Sequence, residues 1–120
     1  MDRVPIVKVG KFLLATIQTD VQDSVALVLQ EDLAARIIAT RSRLVLLDIS
    51  SLQIVDSFIG RMIADISGIA RLLDAEVIVV GMQPAVAMTL VELGLTLSGV
   101  RTALNVESAL AMAGISDHNS

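Results

Sequence analysis

Cysteine, tryptophan and tyrosine are absent from the 120 residues, and histidine occurs once. Without cysteine there is no disulfide, no thiolate nucleophile and no Cys-ligated zinc, a composition that suits a reducing cytoplasm. The single histidine, His118, lies in a polar tail, where a solvated terminal residue is commoner than a general base. Aromatics amount to 2%, so the chain has no platform for stacking nucleobases. Nine Lys and Arg against thirteen Asp and Glu leave a net charge of −4. An acidic chain of this kind has no basic stripe for a nucleic-acid backbone, and no nucleic-acid partner is expected.

Long apolar runs are also missing. Asp2, Arg3, Lys8 and Lys11 interrupt the N-terminal segment, which excludes a signal-peptide reading. The longest uncharged stretch, Val77–Val91, is punctuated by Gly81, Gln83 and Pro84 and is too short to span a bilayer. No membrane partner is expected. Gly10-Lys11 lacks the flanking pattern of a phosphate-binding loop and reads as a turn, and no GxGxxG occurs.

What remains is aliphatic: 54% of the chain is hydrophobic, with a mean hydropathy of +0.76. Such a chain builds its core from Leu, Ile, Val, Ala and Met, and its apolar excess suits a surface covered by partners. One domain is expected over residues 1–115, followed by a frayed polar tail at 116–120.

The periodicities alternate between strand and helix. VPIVKVG (4–10) and FLLATIQ (12–18) read as a hairpin around Gly10-Lys11. Val25, Leu29, Leu33 and Ile37 recur every four residues in a helix over 24–39. LVLLDI (44–49) is a continuous apolar run ending near an acid, as a strand buried on both faces would be. A helix over 57–73 places Phe58, Met62, Ile66, Ile69 and Leu73 on one stripe, with Arg61 and Asp65 spaced to pair. EVIVVG (76–81) is a second buried strand. Pro84 opens a helix that Gly94 closes, a short strand is expected near 101–103, and a last helix covers 106–113. The fold class is therefore α/β: a mixed, mainly parallel sheet with about four flanking helices.

Two groups of residues offer chemistry. Asp48 and Asp56 lie near strand ends, as acids do in magnesium sites, but neither has a third carboxylate nearby. Strand-end and cap roles are commoner, so no metal and no cofactor are expected. Ser57 follows Asp56 at a helix start, in IVDSFIG (54–60). Either Asp56 or Ser57 caps that helix. A phosphate on Ser57 would also lie where first-turn N–H groups favour an anion, so the same serine reads as a phosphoacceptor. Nothing in the sequence supports catalysis by the chain itself.

Three runs carry a resemblance. LVLLDISSLQIVDSFIGRMI (44–63), VIVVGMQPAVAMTLVELGL (77–95) and LQEDLAARI (29–37) resemble STAS domains, the fold of bacterial anti-anti-sigma factors, and within them the RsbS type that scaffolds the stressosome. The likeness covers nearly the whole chain. It departs from ordinary anti-anti-sigma factors at one place. Those tend to read Asp-Ser-Ser-Gly-Leu, whereas this chain reads Asp56-Ser57-Phe58-Ile59-Gly60.

The resemblance implies a STAS fold without the N-terminal sensor domain of RsbR-type paralogues. It implies a cytoplasmic, non-enzymatic scaffold in a large hetero-assembly or homo-oligomer with RsbR-type STAS proteins. It implies an RsbT-type serine kinase that phosphorylates Ser57 and is released, and a phosphatase that resets the system. Asp56, Phe58, Ile59 and Gly60 are then the expected kinase-facing residues, with Gln83, Pro84 and Ala85 as weaker candidates for the same surface. Three other readings stay open: an ordinary anti-anti-sigma factor acting on an anti-sigma kinase, a small enzyme or metal-binding domain using Asp48 and Asp56, and an assembly subunit never modified at Ser57.

Overall fold

The computed structural model describes residues 4–18, 23–94 and 100–114. The chain enters the fold through a hairpin of β1 (Ile6–Val9) and β2 (Phe12–Thr16), antiparallel, with Val9 opposite Phe12. Gly10 takes φ 55° at the turn, a conformation that favours glycine. Both strands are shorter than the apolar runs that announce them. Pro5 has no N–H to donate, so β1 starts at Ile6.

α1 (Asp23–Thr40) leads to β3 (Leu44–Asp48), α2 (Ser57–Leu72) to β4 (Glu76–Val80), and α3 (Pro84–Glu92) to β5 (Arg101–Ala103); α4 (Val106–Ala113) closes the described chain. The sheet order is β1-β2-β3-β4-β5, antiparallel only between β1 and β2 and parallel elsewhere. Four helices on a five-stranded mixed sheet match the expected α/β class.

Side-chain alternation divides the core into two layers. Leu13 and Ala15, Val45 and Leu47, Val77 and Val79 face one side, where they pack with Leu29, Leu33 and Ile37 of α1, Met62, Ile63 and Ile66 of α2, and Val86 and Leu90 of α3. Phe12, Leu44, Leu46, Ile78 and Val80 face the other side, covered by Ala109 and Leu110 of α4. Among the described residues, three helices therefore cover one face and a single eight-residue helix covers the other. β3 and β4 are buried on both faces because helices lie on both sides of them, which is why they read as unbroken apolar runs.

The helix ends are specified locally. Asn105 caps α4 by accepting from the Ser108 N–H at 2.8 Å, and Gly114 ends it at φ 74°. Gly94 follows α3 at φ 70°. α1 and α2 instead place Arg41 (φ 55°) and Asp74 (φ 64°) in the left-handed region just beyond their ends. The expected Arg61–Asp65 pair does not form; Arg61 turns toward the N-terminal end of α2. The 116–120 tail and His118 lie outside the described residues.

Candidate functional site

The loop between β3 and α2 is pinned at both ends. At its start, Asp48 Oδ1 accepts from the Ser50 N–H at 2.9 Å, and the Ile49 N–H donates to the Val80 carbonyl at 3.0 Å. Ile49, Leu52 and Val55 then bury their side chains, while Ile54 points into solvent at 87% exposure. Asp48 is thus committed to holding its own loop, as aspartates that bond the backbone two residues on commonly do. Among the described residues no group of three potential metal ligands forms around it or elsewhere.

At the far end, Asp56 is extended (φ −122°, ψ −177°) and its Oδ1 accepts from the Ile59 N–H at 3.1 Å. This decides between the two capping residues. Asp56 is the N-cap, and Ser57 is the first residue of the helix proper, with its hydroxyl left out of the cap. That hydroxyl accepts from Arg61 Nη2 at 3.3 Å, one turn further along the same helix face. Ser57 is half-buried, so its oxygen lies at the rim of the loop. Phe58, also half-buried, packs onto the larger core layer. Ile59 and Gly60 are buried. They support the loop from beneath and offer little side-chain area to a partner.

A second loop leans on the first. Gly81 ends β4 at φ 76°, and a Cβ there would lie 2.8 Å from Ser50 Cβ and 3.3 Å from Ser50 Cα. Glycine is required twice over, for its backbone angle and for the approach of the Ser50 backbone. Gln83 then donates from Nε2 to the Ser50 carbonyl at 2.8 Å and precedes Pro84, the first residue of α3. The chain thus brings the loop after β3 and the loop after β4 into direct contact at the C-terminal edge of the sheet. That edge is where functional loops of open α/β sheets gather. Pro84 and Ala85 are exposed beside them, and Gln83 is half-buried. The contact runs from Gln83 to Ser50, not to Ser57 itself.

Sequence reasoning placed the two loops on a common edge but missed the residues that join them, Ser50 and Gly81. The only available signal was the glycine directly after an apolar strand. Arg61 was assigned to Asp65 by spacing; its contact with Ser57 uses the same four-residue interval in the opposite direction.

The chain has relatives of known family and fold. Residues 3–109 match the STAS domain family. A serine-to-glutamate variant of RsbS from Moorella thermoacetica is 36% identical and superposes with a TM-score of 0.79, covering 92% of this chain and 94% of its own. A chain of the stressosome, described as a signal integration and transduction hub, is also 36% identical, with a TM-score of 0.80 over 92% of this chain and 96% of that one. The RsbT co-antagonist protein RsbRA of Bacillus subtilis is 32% identical over 85 residues, which is 71% of this chain and 31% of RsbRA. The co-antagonist RsbRD of the same organism is 40% identical over 68 residues, or 24% of its length. The chain therefore spans about a third or less of the two curated relatives it matches. The anti-sigma factor antagonist SpoIIAA shares the fold at a TM-score of 0.71 but only 12% identity.

Proposed function

The chain belongs to the STAS domain family, and from that premise we propose that it is a non-enzymatic, cytoplasmic scaffold of a stressosome-type assembly, switched by phosphorylation of Ser57. Its similarity to RsbS over more than nine-tenths of both chains carries the reading. RsbR-type STAS proteins are its assembly partners and an RsbT-type serine kinase is its client. A separate phosphatase restores the starting state.

The local physics supports a switch at this serine. Because Asp56 supplies the cap, modifying Ser57 does not remove the bond that starts α2. A phosphate there adds a charge of about −1.5 to −2 beside the Asp56 carboxylate, on a rim that otherwise carries one acid and one arginine. The first-turn N–H groups and Arg61 accommodate that charge, so the fold survives while the surface potential changes. Asp56, Ser57 and Phe58 form the kinase-facing rim, extended by Gln83 and Pro84 from the adjoining loop. Ile59 and Gly60 keep its shape. Phosphorylation then weakens the bound kinase through like-charge repulsion and desolvation.

The deciding experiment is intact-mass and peptide mapping after incubation with ATP and an RsbT-type kinase. One phosphate on Ser57, absent from Ser57→Ala, is the expected result. An unmodified Ser57 under a kinase active on another substrate would sink the switch and leave an assembly subunit of fixed charge. Capture of an anti-sigma kinase in place of an RsbT-type kinase would make the chain an ordinary anti-anti-sigma factor.

A further inference from the structure

The opposite end of the sheet holds a feature that the Ser57 rim does not use. A cleft of about 550 Å³ opens where β3 and β4 begin, between the β1–β2 turn and the turn that follows α1. Lys8, Lys11, Arg41 and Arg43 line it, above buried Leu44. These are both lysines of the chain and four of its nine Lys and Arg residues, in a protein whose net charge is −4.

Little in the structure neutralises them. Glu76, on the cleft wall, is engaged bidentately by Arg101 at 2.6 and 2.8 Å. Arg43 lies 3.7 Å from Asp74, with both side chains more than four-fifths exposed, so water screens the pair. Lys8 is drawn toward the turn, donating to the Gly10 carbonyl at 2.8 Å. Among the described residues, Lys11 and Arg41 have no acidic partner. The cations arrive from two separate segments, the hairpin and the α1–β3 connection, and meet only because the chain folds.

Arg41 adds an independent observation. It occupies the left-handed position that ends α1, at φ 55°, where helices commonly place glycine. An arginine there carries a backbone cost that glycine would remove, and its side chain lines the cleft. Arg41→Gly therefore removes the charge without asking the backbone to move, which separates the side chain's part in the cleft from its place in the fold.

We propose that this cleft binds a compact polyanion of the pyrophosphate class, a species with two or more linked phosphate groups. The cavity is of small-molecule size, and four cations on its walls match a multiply charged phosphate chain better than a single carboxylate. Among the described residues no aromatic ring lies at the cleft to hold a nucleobase: Phe12 is buried on the α4 side of the sheet and Phe58 belongs to the opposite end. Recognition is therefore by charge and chain length.

Calorimetric titration of the full chain with inorganic pyrophosphate at low salt tests the site, with thermal melting of each variant alongside. Saturable binding is expected, weaker for orthophosphate and falling as salt rises. Lys11→Ala, Arg43→Ala and Arg41→Gly should each weaken it about fivefold or more. Arg41→Gly is the decisive variant, because it should lose affinity while melting no lower than the parent. Ser57→Ala should bind as the parent does, which separates this site from the switch. No saturable heat at millimolar pyrophosphate overturns the proposal. So does an Arg41→Gly protein that binds unchanged, or variants that alter only self-association.

Discussion

Arg61 Nη2 donates to Ser57 Oγ at 3.3 Å across one turn of α2, with the Asp56 cap immediately before the pair. The guanidinium already rests on the oxygen that the proposed switch would modify. Phosphorylation would therefore do two things at once, adding a dianion and withdrawing an exposed cation from the same rim.

This relationship is measurable on the phosphorylated protein. The Arg61 cation favours the dianionic phosphate while the adjacent Asp56 carboxylate opposes it. Arg61→Gln should therefore move the second ionisation of phosphoserine 57 to higher pH than in the parent, as followed by phosphorus NMR through a pH titration. An identical titration curve in parent and variant would show that the two groups do not meet after modification.

The capping assignment predicts unequal effects of neighbouring substitutions. Asp56→Ala removes the bond to the Ile59 N–H and should cost about 1 kcal/mol in urea unfolding. Ser57→Ala removes an exposed contact with Arg61 and should change stability by less than about 0.5 kcal/mol. The reverse ranking would move the cap to Ser57.

Gly81 should tolerate no side chain. Gly81→Ala combines a left-handed backbone with a methyl 2.8 Å from Ser50 Cβ, for a loss of about 2–4 kcal/mol. Chemical denaturation gives the number. Because the two loops touch there, amide chemical shifts of Ser50 and Gln83 should move in the same variant.

Gly68 predicts the opposite sign. It lies mid-helix in α2 on the exposed side, and a Cβ there would meet nothing within 4 Å. Gly68→Ala should stabilise the isolated chain by about 0.5–1 kcal/mol. Thermal melting of the isolated chain checks this. If the same variant also assembles less well with the proposed RsbR-type partners in sedimentation, another molecule comes close to that helix face.

The architecture was legible because its signals are local. β3 and β4 announce themselves as unbroken apolar runs, α3 is bracketed by Pro84 and Gly94, and α4 ends at Gly114. Even the three-residue β5 fell where it was expected. The site was harder. That one of two adjacent polar residues caps a helix is visible in sequence, but which one depends on the backbone angles of Asp56. The Arg61 rotamer, the Gln83–Ser50 bond and the cationic cleft depend on segments distant in sequence or on side-chain direction, and neither is encoded in periodicity. The burial of Ile59 and Gly60 follows from their places on the inner stripe of α2, which the family motif read as a surface.

The strand order has a consequence for how the molecule is made. Each new strand joins the sheet directly beside the one before it. A nascent chain with this order never has to hold open a gap for a segment still in the ribosome. The hairpin offers an edge to β3, β3 offers one to β4, and each connecting helix settles on the growing layer as its strand docks. Among the described elements α4 is the one that covers the second face, and it follows every strand in the chain, so that face is covered only after the whole sheet has been made. Translation that pauses before α4 leaves Phe12, Leu46 and Ile78 without the cover that Ala109 and Leu110 supply, an apolar patch open to non-native contacts until α4 emerges.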